Sequence, residues 1–369
     1  MKYSNLTEGV KNILGDPKKA IIKLSFPMII GMAILSVYQL ADGIWVAGLG
    51  SDELAAVGLF FPFFLAIMAI GNGLGMGGSS AISRKIGEDK KKDADSIAIH
   101  TILLGIIVGI IITVMFLPLT EIIFNSISDS QRVGILSSEY AKILFSGSII
   151  IIFPCVANAV LRGEGDAKKA MYGLMVGSFA NIILDPFFIY TLNLGVAGAA
   201  WATVFSLFLS VLIFVYWLFI KKSSFLYVTF KAFKFKKDIL KDIFRVGIPS
   251  AMTQISVSVS LFLLNIIVNL VGGDDGVAVL TSGWRILMMG VIPLLGIGPA
   301  VTVVTGAAYG SKNKSKLNTG YLYAIKIGLI IELFIAAIIF IFASEIAFLF
   351  SYSVDSSIIF DDIVYFFRI

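Results

Sequence analysis

The sequence predicts an all-α polytopic membrane protein, with two parallel-repeat helical lobes and a cytoplasmic N-terminus. Three observations carry this. Hydrophobic residues fill 58% of 369 positions and charged residues only 14%, against about half and one quarter in a soluble domain. Apolar runs longer than ~18 residues recur along the chain, each able to cross a bilayer. Lysine and arginine gather in alternate loops between those runs.

In order, the spans fall near 21–49, 54–83, 96–124, 139–161, 169–192, 197–220, 246–271, 277–309 and 320–343, and a tenth begins near 358. Residues 1–19 are polar and the first apolar run leads straight into a second, so no cleavable signal peptide is expected. The basic loops are the N-terminal tail, 84–92, 162–169, 221–245 and 312–316. The opposite set (52–53, 121–132, 192–196, 274–275 and 345–355) is acidic or neutral apart from Arg132. Positive loops stay in the cytoplasm, which sets the orientation. The net charge of +5 is therefore orientation chemistry and gives no reason to expect nucleic acid as a partner. One cysteine, Cys155, and one histidine, His100, exclude a disulfide framework or a zinc site built from those residues.

The two halves resemble each other. Pro27 falls on Pro249 at an offset of 222, and Gly73 on Gly296 and Gly87 on Gly310 at an offset of 223. Glu139, opening span four, falls on Asp362, opening span ten. A six-helix unit repeated in the same orientation is a secondary-transporter architecture. It divides the chain into an N-lobe at 1–222, a cytoplasmic linker at 223–244 and an incomplete C-lobe at 245–369 holding three helices and the start of a fourth. A mirrored second half would need about 80 further residues, so the chain reads as C-terminally truncated. Aromatics alternate with lysines in the linker, a pattern suited to the membrane surface.

An acid inside a span is costly and marks a functional site by default. Asp42 lies ~12 Å below the outer end of span one, and Asp185 ~10 Å below the outer end of span five, with Thr203 of span six at about that depth. Asn181 precedes Asp185 by one helical turn and Tyr38 precedes Asp42 likewise. Pro186 deprives the Ile182 carbonyl of its usual donor. Two carboxylates, an amide oxygen, a hydroxyl and a freed carbonyl suit a hard cation such as sodium. The same carboxylates suit a proton, since burial beside a like charge favours the neutral form of one. Sodium and proton both stay open, and the reading requires Asp42 and Asp185 to meet. Pro27 and Gly31 on span one form a candidate hinge, against the plainer view that Pro27 ends the first turn. Span seven carries Thr253, Gln254, Ser256, Ser258, Ser260, Asn265 and Asn269 but no acid, while Arg285, Lys326 and Glu332 lie within later spans. No Walker A sequence occurs, which argues against an ATP-driven pump.

Pro27, Asp42-Gly43, Gly87-Glu88-Asp89-Lys90, Arg162-Gly163-Glu164-Gly165-Asp166-Ala167-Lys168, and Asn181 with Asp185-Pro186 together resemble the MATE family of multidrug and toxic compound extrusion transporters, in its DinF-like, archaeal branch. The resemblance implies twelve helices in two lobes and antiport of cationic or amphipathic drugs against sodium or protons, in a plasma-membrane protein of prokaryotic type. It implies a cation site at Asp42, Asn181, Asp185 and Thr203, which would be the sodium ligands in a sodium-coupled protein. It places Tyr38, Tyr140 and Asn158 around the substrate cavity and gives Pro27 and Gly31 the bending of the first helix. No enzymatic activity and no cofactor are implied beyond a bound sodium ion. The expected partners are amphipathic drugs and the bilayer, for a monomer. Two other readings stand beside it: a lipid-linked oligosaccharide flippase of the same superfamily, and a non-transporting fragment of an exporter. A protease built on two intramembrane aspartates is disfavoured, because neither Asp42 nor Asp185 sits in a Gly-x-Gly-Asp pattern.

Overall fold

The computed structural model describes residues 6–128, 130–221, 223–229, 233–348 and 360–368. The described residues are almost wholly helical. Eight helices are long and apolar enough to cross a membrane, or nine when one bent pair counts as a single span. The start expected for the tenth span, near 358, and the loop acid Asp355 lie outside the described residues, as do the side chains of Asn269, Asp274, Asp275 and Arg285.

A short helix, α1 (Glu8–Leu14), precedes the first span. The next elements are α2 (Pro17–Ala47), α3 (Ser51–Gly87), α4 (Lys91–Phe116), α5 (Thr120–Ile127), α6 (Gln131–Ser146) and α7 (Ser148–Gly163). After them come α8 (Ala167–Pro186), α9 (Gly195–Val215), α10 (Lys237–Gly310), α11 (Lys314–Ile341), α12 (Ala343–Phe348) and α13 (Phe360–Arg368). The long α10 holds two spans joined at Gly273, whose φ of 59° and ψ of −154° break the helix. Glycine occupies that conformation without the strain a Cβ would bring.

Polar side chains start the helices where the sequence supplies them. The Lys19 N–H donates to Asp16 at 2.9 Å ahead of Pro17, the Lys169 N–H to Asp166 at 3.1 Å, and the Lys316 N–H to Asn313 at 2.9 Å. Each bond satisfies a donor that the first turn leaves free. The ends of α3 and α10 share one geometry. Asp89 (φ 61°) and Lys312 (φ 55°), 223 residues apart, both adopt the left-handed conformation. The Lys90 N–H reaches the Lys85 carbonyl, and the Asn313 N–H reaches the Ala308 carbonyl, in the same closing motif.

The fourth span departs from the single helix expected at 139–161. It begins at Gln131 and bends by 49° between α6 and α7. The bend has a local cause. The Phe145 carbonyl accepts the hydroxyls of Thr113 (2.7 Å) and Ser148 (2.8 Å), and Gly147 leaves the helical conformation there. Side chains entering the backbone ladder at a glycine are a recognised source of kinks. Pro27, by contrast, lies inside a helix that runs unbroken from Pro17 to Ala47.

The described part of the linker is mixed, with Tyr227 and Phe235 exposed. Phe225, Leu226 and Val228 are buried, where the Leu226 N–H donates to Glu164 of the α7–α8 loop and Lys91 of α4 lies over the Phe225 ring. Apolar side chains find a protein surface there, and burial removes them from water as effectively as lipid would.

Candidate functional site

Helices α2 and α8 pack together and set the centre of the site. Asp42 on α2 and Asp185 on α8 come within hydrogen-bonding range of each other. Asp185 is 0% exposed, and neither of its carboxylate oxygens has a donor; Asp42 Oδ1 is likewise buried without one. Asn181, one turn back on α8, turns its amide toward Asp185 without closing a hydrogen bond of ordinary geometry. Five buried polar atoms of three side chains thus stand unpaired around one point. Buried polar atoms are almost always satisfied, so such a cluster calls for a proton or cation. The donor set of carboxylate and amide oxygens fits either.

Pro186 closes α8, and the chain widens into a π-helical turn over Phe187–Thr191. That turn brings the Tyr190 hydroxyl to the Trp45 carbonyl at 2.6 Å. The bond ties the outer end of α2 to the π-turn that follows α8. A π-turn often appears at functional sites because it re-aims the helix.

Asp42 opens onto a cavity of about 470 Å³, a volume typical of small-molecule sites. Tyr38, Tyr140 and Thr203 line the same cavity, with Phe60, Phe61 and Phe64 from α3. Tyr140 is held edge-on to Phe60 at 5.5 Å, within an aromatic cluster that includes Phe63, Phe124 and Phe145. The second span of α10 adds Trp284, Met288 and Met289, which sequence reasoning missed. Apolar residues in a transmembrane helix look alike in sequence, and only packing tells a cavity wall from a lipid face. Among the described lining residues Asp42 is the one charge.

Asn158 does not join this site. It is buried between α7 and α8, where its amide donates to the Ala170 carbonyl at 2.8 Å, beside a cleft of about 10 Å³. Gly31 is buried too, facing Met171 and Leu174 of α8. Pro27 and Gly31 lie on the cytoplasmic side of Asp42, more than two turns along α2.

Two further features escaped the sequence. Glu164, in the loop between α7 and α8, is 1% exposed and accepts bonds from the Ser224 hydroxyl (2.6 Å) and the Leu226 N–H (2.9 Å). Burial pushes its carboxyl up to about 7, against the pull of those two bonds. His100 fastens the far end of the linker: the Lys236 N–H donates to its Nε2 at 3.1 Å, which leaves its Nδ1–H for the Ser96 carbonyl at 2.7 Å. No cluster of three or more His, Cys, Asp or Glu side chains suited to a metal occurs among the described residues.

Orphaned carboxylates inside a helix bundle, at the wall of a cavity, belong to proteins that move ions or solutes across membranes. The chain belongs to the MatE family, whose model matches residues 27–187 and 249–367. It is 27% identical over 313 residues to the multidrug export protein MepA of Staphylococcus haemolyticus, covering 85% of this chain and 69% of that relative. Against MepA of Staphylococcus aureus it is 29% identical over 249 residues, which is 67% of this chain and 55% of the relative. A MOP superfamily transporter from Pyrococcus furiosus, described as having a binding pocket of reversed polarity that suggests a different function, superposes with a TM-score of 0.94 at 49% identity. That superposition covers 99% of this chain and 81% of the other. The protein is thus a multi-pass membrane protein of a transporter family.

Proposed function

We propose that the protein is a secondary active antiporter that exports cationic or amphipathic organic compounds in exchange for sodium ions or protons. The aligned part covers 55% to 69% of the MepA relatives, so the activity of the whole transporter is an inference for this chain. One observation carries it: the unpaired Asp42–Asp185 centre opens directly onto an aromatic cavity. A cation or proton shared by the two carboxylates changes the charge of the cavity wall. Drug and coupling ion then compete for one negative charge, which is the elementary requirement for exchange. Asn181 and Thr203 supply further oxygens for a sodium ion, and Tyr38 stands beside both acids.

The lining favours a positively charged, apolar solute. Aromatic faces attract cations, and methionines adapt to varied shapes. The flippase reading would be favoured by basic residues around the cavity, and the described lining contains none.

The test is drug efflux from cells lacking their own pumps, using this chain and a version extended by the part of the Pyrococcus furiosus relative that the superposition does not cover. Asp42→Asn is introduced into whichever version exports. Efflux that disappears with Asp42→Asn supports the antiport reading. Efflux that persists undiminished removes Asp42 from coupling. A well-folded extended protein that exports nothing across a broad panel of compounds shifts the reading to the flippase.

A further inference from the structure

The cavity lies in the outer half of the molecule. Its lining comes from the outer part of α2 (Tyr38, Asp42) and the outer part of α3 (Val57, Phe60). The inner half of α3 is committed to a different contact, a seam against both spans of α10. Gly73 faces the Gly247 carbonyl, and the Cβ it lacks would lie 2.7 Å from that oxygen. Gly77 sits directly on the Ile243 carbonyl, Gly87 on the Ala307 carbonyl and Gly310 on the Arg84 carbonyl. The last two contacts are reciprocal: 84 and 307, like 87 and 310, differ by 223. A contact that repeats itself this way follows from local two-fold symmetry. The seam closes the cytoplasmic side of the cavity.

Backbone packed on backbone at glycines is held by van der Waals contact alone and parts without stranding polar groups. Among the described residues two side-chain bonds cross the seam. Near the middle of the bilayer the Asn72 amide reaches the Gln254 side-chain oxygen at 3.4 Å. At the cytoplasmic end the Arg84 guanidinium grips the Asp242 carboxylate.

The second bond is built to exchange. Arg84 has an alternative partner at the C-cap of its own helix, Glu88 Oε1 at 3.8 Å, whose other oxygen holds Lys85 at 2.7 Å and Lys90 at 3.0 Å. Asp242 has Arg245 one turn on, and both line a cytoplasmic cavity of about 450 Å³ together with Arg84. When the seam parts, neither charge is left alone: Arg84 closes on Glu88, and Asp242 turns to Arg245 or to water. Both ends of the pair are part-exposed, so each exchange involves little desolvation.

We propose that Arg84 and Asp242 form a partner-exchanging latch, which holds the cytoplasmic side shut and passes Arg84 to Glu88 when that side opens. The latch deepens the antiport reading and rests on it, since exchange transport needs access from both faces.

The experiment uses a protein with Cys155→Ser and spin labels at Lys92→Cys and Lys314→Cys, exposed positions on the cytoplasmic ends of α4 and α11. The distance between labels is measured without drug or ion gradient. Asp242→Asn is expected to raise the long-distance population about two- to fivefold, the size of effect a part-exposed ion pair gives. Glu88→Gln, which removes the alternative partner, is expected to lower it. Opposite shifts establish the latch. The proposal is overturned if Asp242→Asn, eluting as a single folded species, keeps the parent distribution, or if both variants shift the same way. The two readings separate: opposite shifts in a protein that exchanges no drug keep the latch and remove antiport, while drug exchange with unmoved distances does the reverse.

Discussion

Asp42 and Asp185 stand 143 residues apart in the chain and share one buried point between α2 and α8, where among the described residues neither Asp185 oxygen nor Asp42 Oδ1 has a donor. Neighbouring carboxylates of this kind cannot both keep their charge without a proton or cation between them. The occupancy of that point therefore couples to the state of the two helices, and through Asp42 to the cavity.

Substituting the cavity wall should change which compounds are exported without abolishing ion coupling. Trp284→Ala and Met288→Ala remove contact area from one side of the cavity. Loss of a large apolar contact costs about 1–3 kcal/mol of binding, roughly 5- to 160-fold in affinity for a ligand that uses it. Resistance profiles over a panel of cationic and neutral compounds would show unequal losses; a uniform loss would point to misfolding.

Asn158→Ala should lower stability and leave coupling intact. It removes a buried bond between α7 and α8 and leaves the Ala170 carbonyl without its side-chain donor, at a cost of about 1–2 kcal/mol. Unfolding in detergent should show the loss, and drug exchange per folded molecule should stay at the parent rate.

Glu164 gives the protein a pH-dependent stability. Its carboxyl sits near 7 when folded, because burial opposes its ionisation, against about 4.3 for an ordinary glutamate. Between those values the folded state holds a proton that the unfolded chain has lost. The contribution is complete below about pH 4.3 and fades as pH rises through 7, by up to roughly 3 kcal/mol. Glu164→Gln should flatten the thermal-unfolding profile between pH 5 and 8 on the order of that amount, relative to the parent. A parent profile that rises over the same window would contradict this account.

Gly87→Val should be severely damaging. A side chain at Gly87 meets the Ala307 backbone, which cannot move aside as a flexible side chain can. Overpacking of this sort costs about 1–3 kcal/mol or more. The equivalent Gly310→Val, against the Arg84 backbone, should do the same. Yield and unfolding temperature of both variants check it, and normal stability in either would show that the seam is looser than its geometry.

Much of this was legible in the sequence, for physical reasons. Long apolar runs and alternating basic loops carry the spans and their orientation, since a bilayer admits few other solutions. Asp42, Asn181, Asp185, Tyr38 and Thr203 could be gathered because an acid in a span is rare and helical spacing and depth fix its neighbours; Tyr140 came only with the family resemblance. The offset of 223 reappears in the paired turns at Asp89 and Lys312 and in the Gly87 and Gly310 contacts. Asn158 went astray because a buried asparagine looks the same whether it faces a cavity or a backbone carbonyl. The bend at Gly147 depends on the Thr113 hydroxyl from another helix, and the Glu164 and Arg84 contacts join segments 60 and 158 residues apart. Local pattern carries no trace of such pairings.

The most direct measurement is ion-driven dye exchange in proteoliposomes with an imposed sodium or proton gradient, comparing the parent with Asp42→Asn and Asp185→Asn. The account predicts that one gradient drives exchange in the parent and that either substitution abolishes the drive while dye binding remains. Gradient-driven exchange at the parent rate in both variants would contradict the paired aspartates as the coupling site.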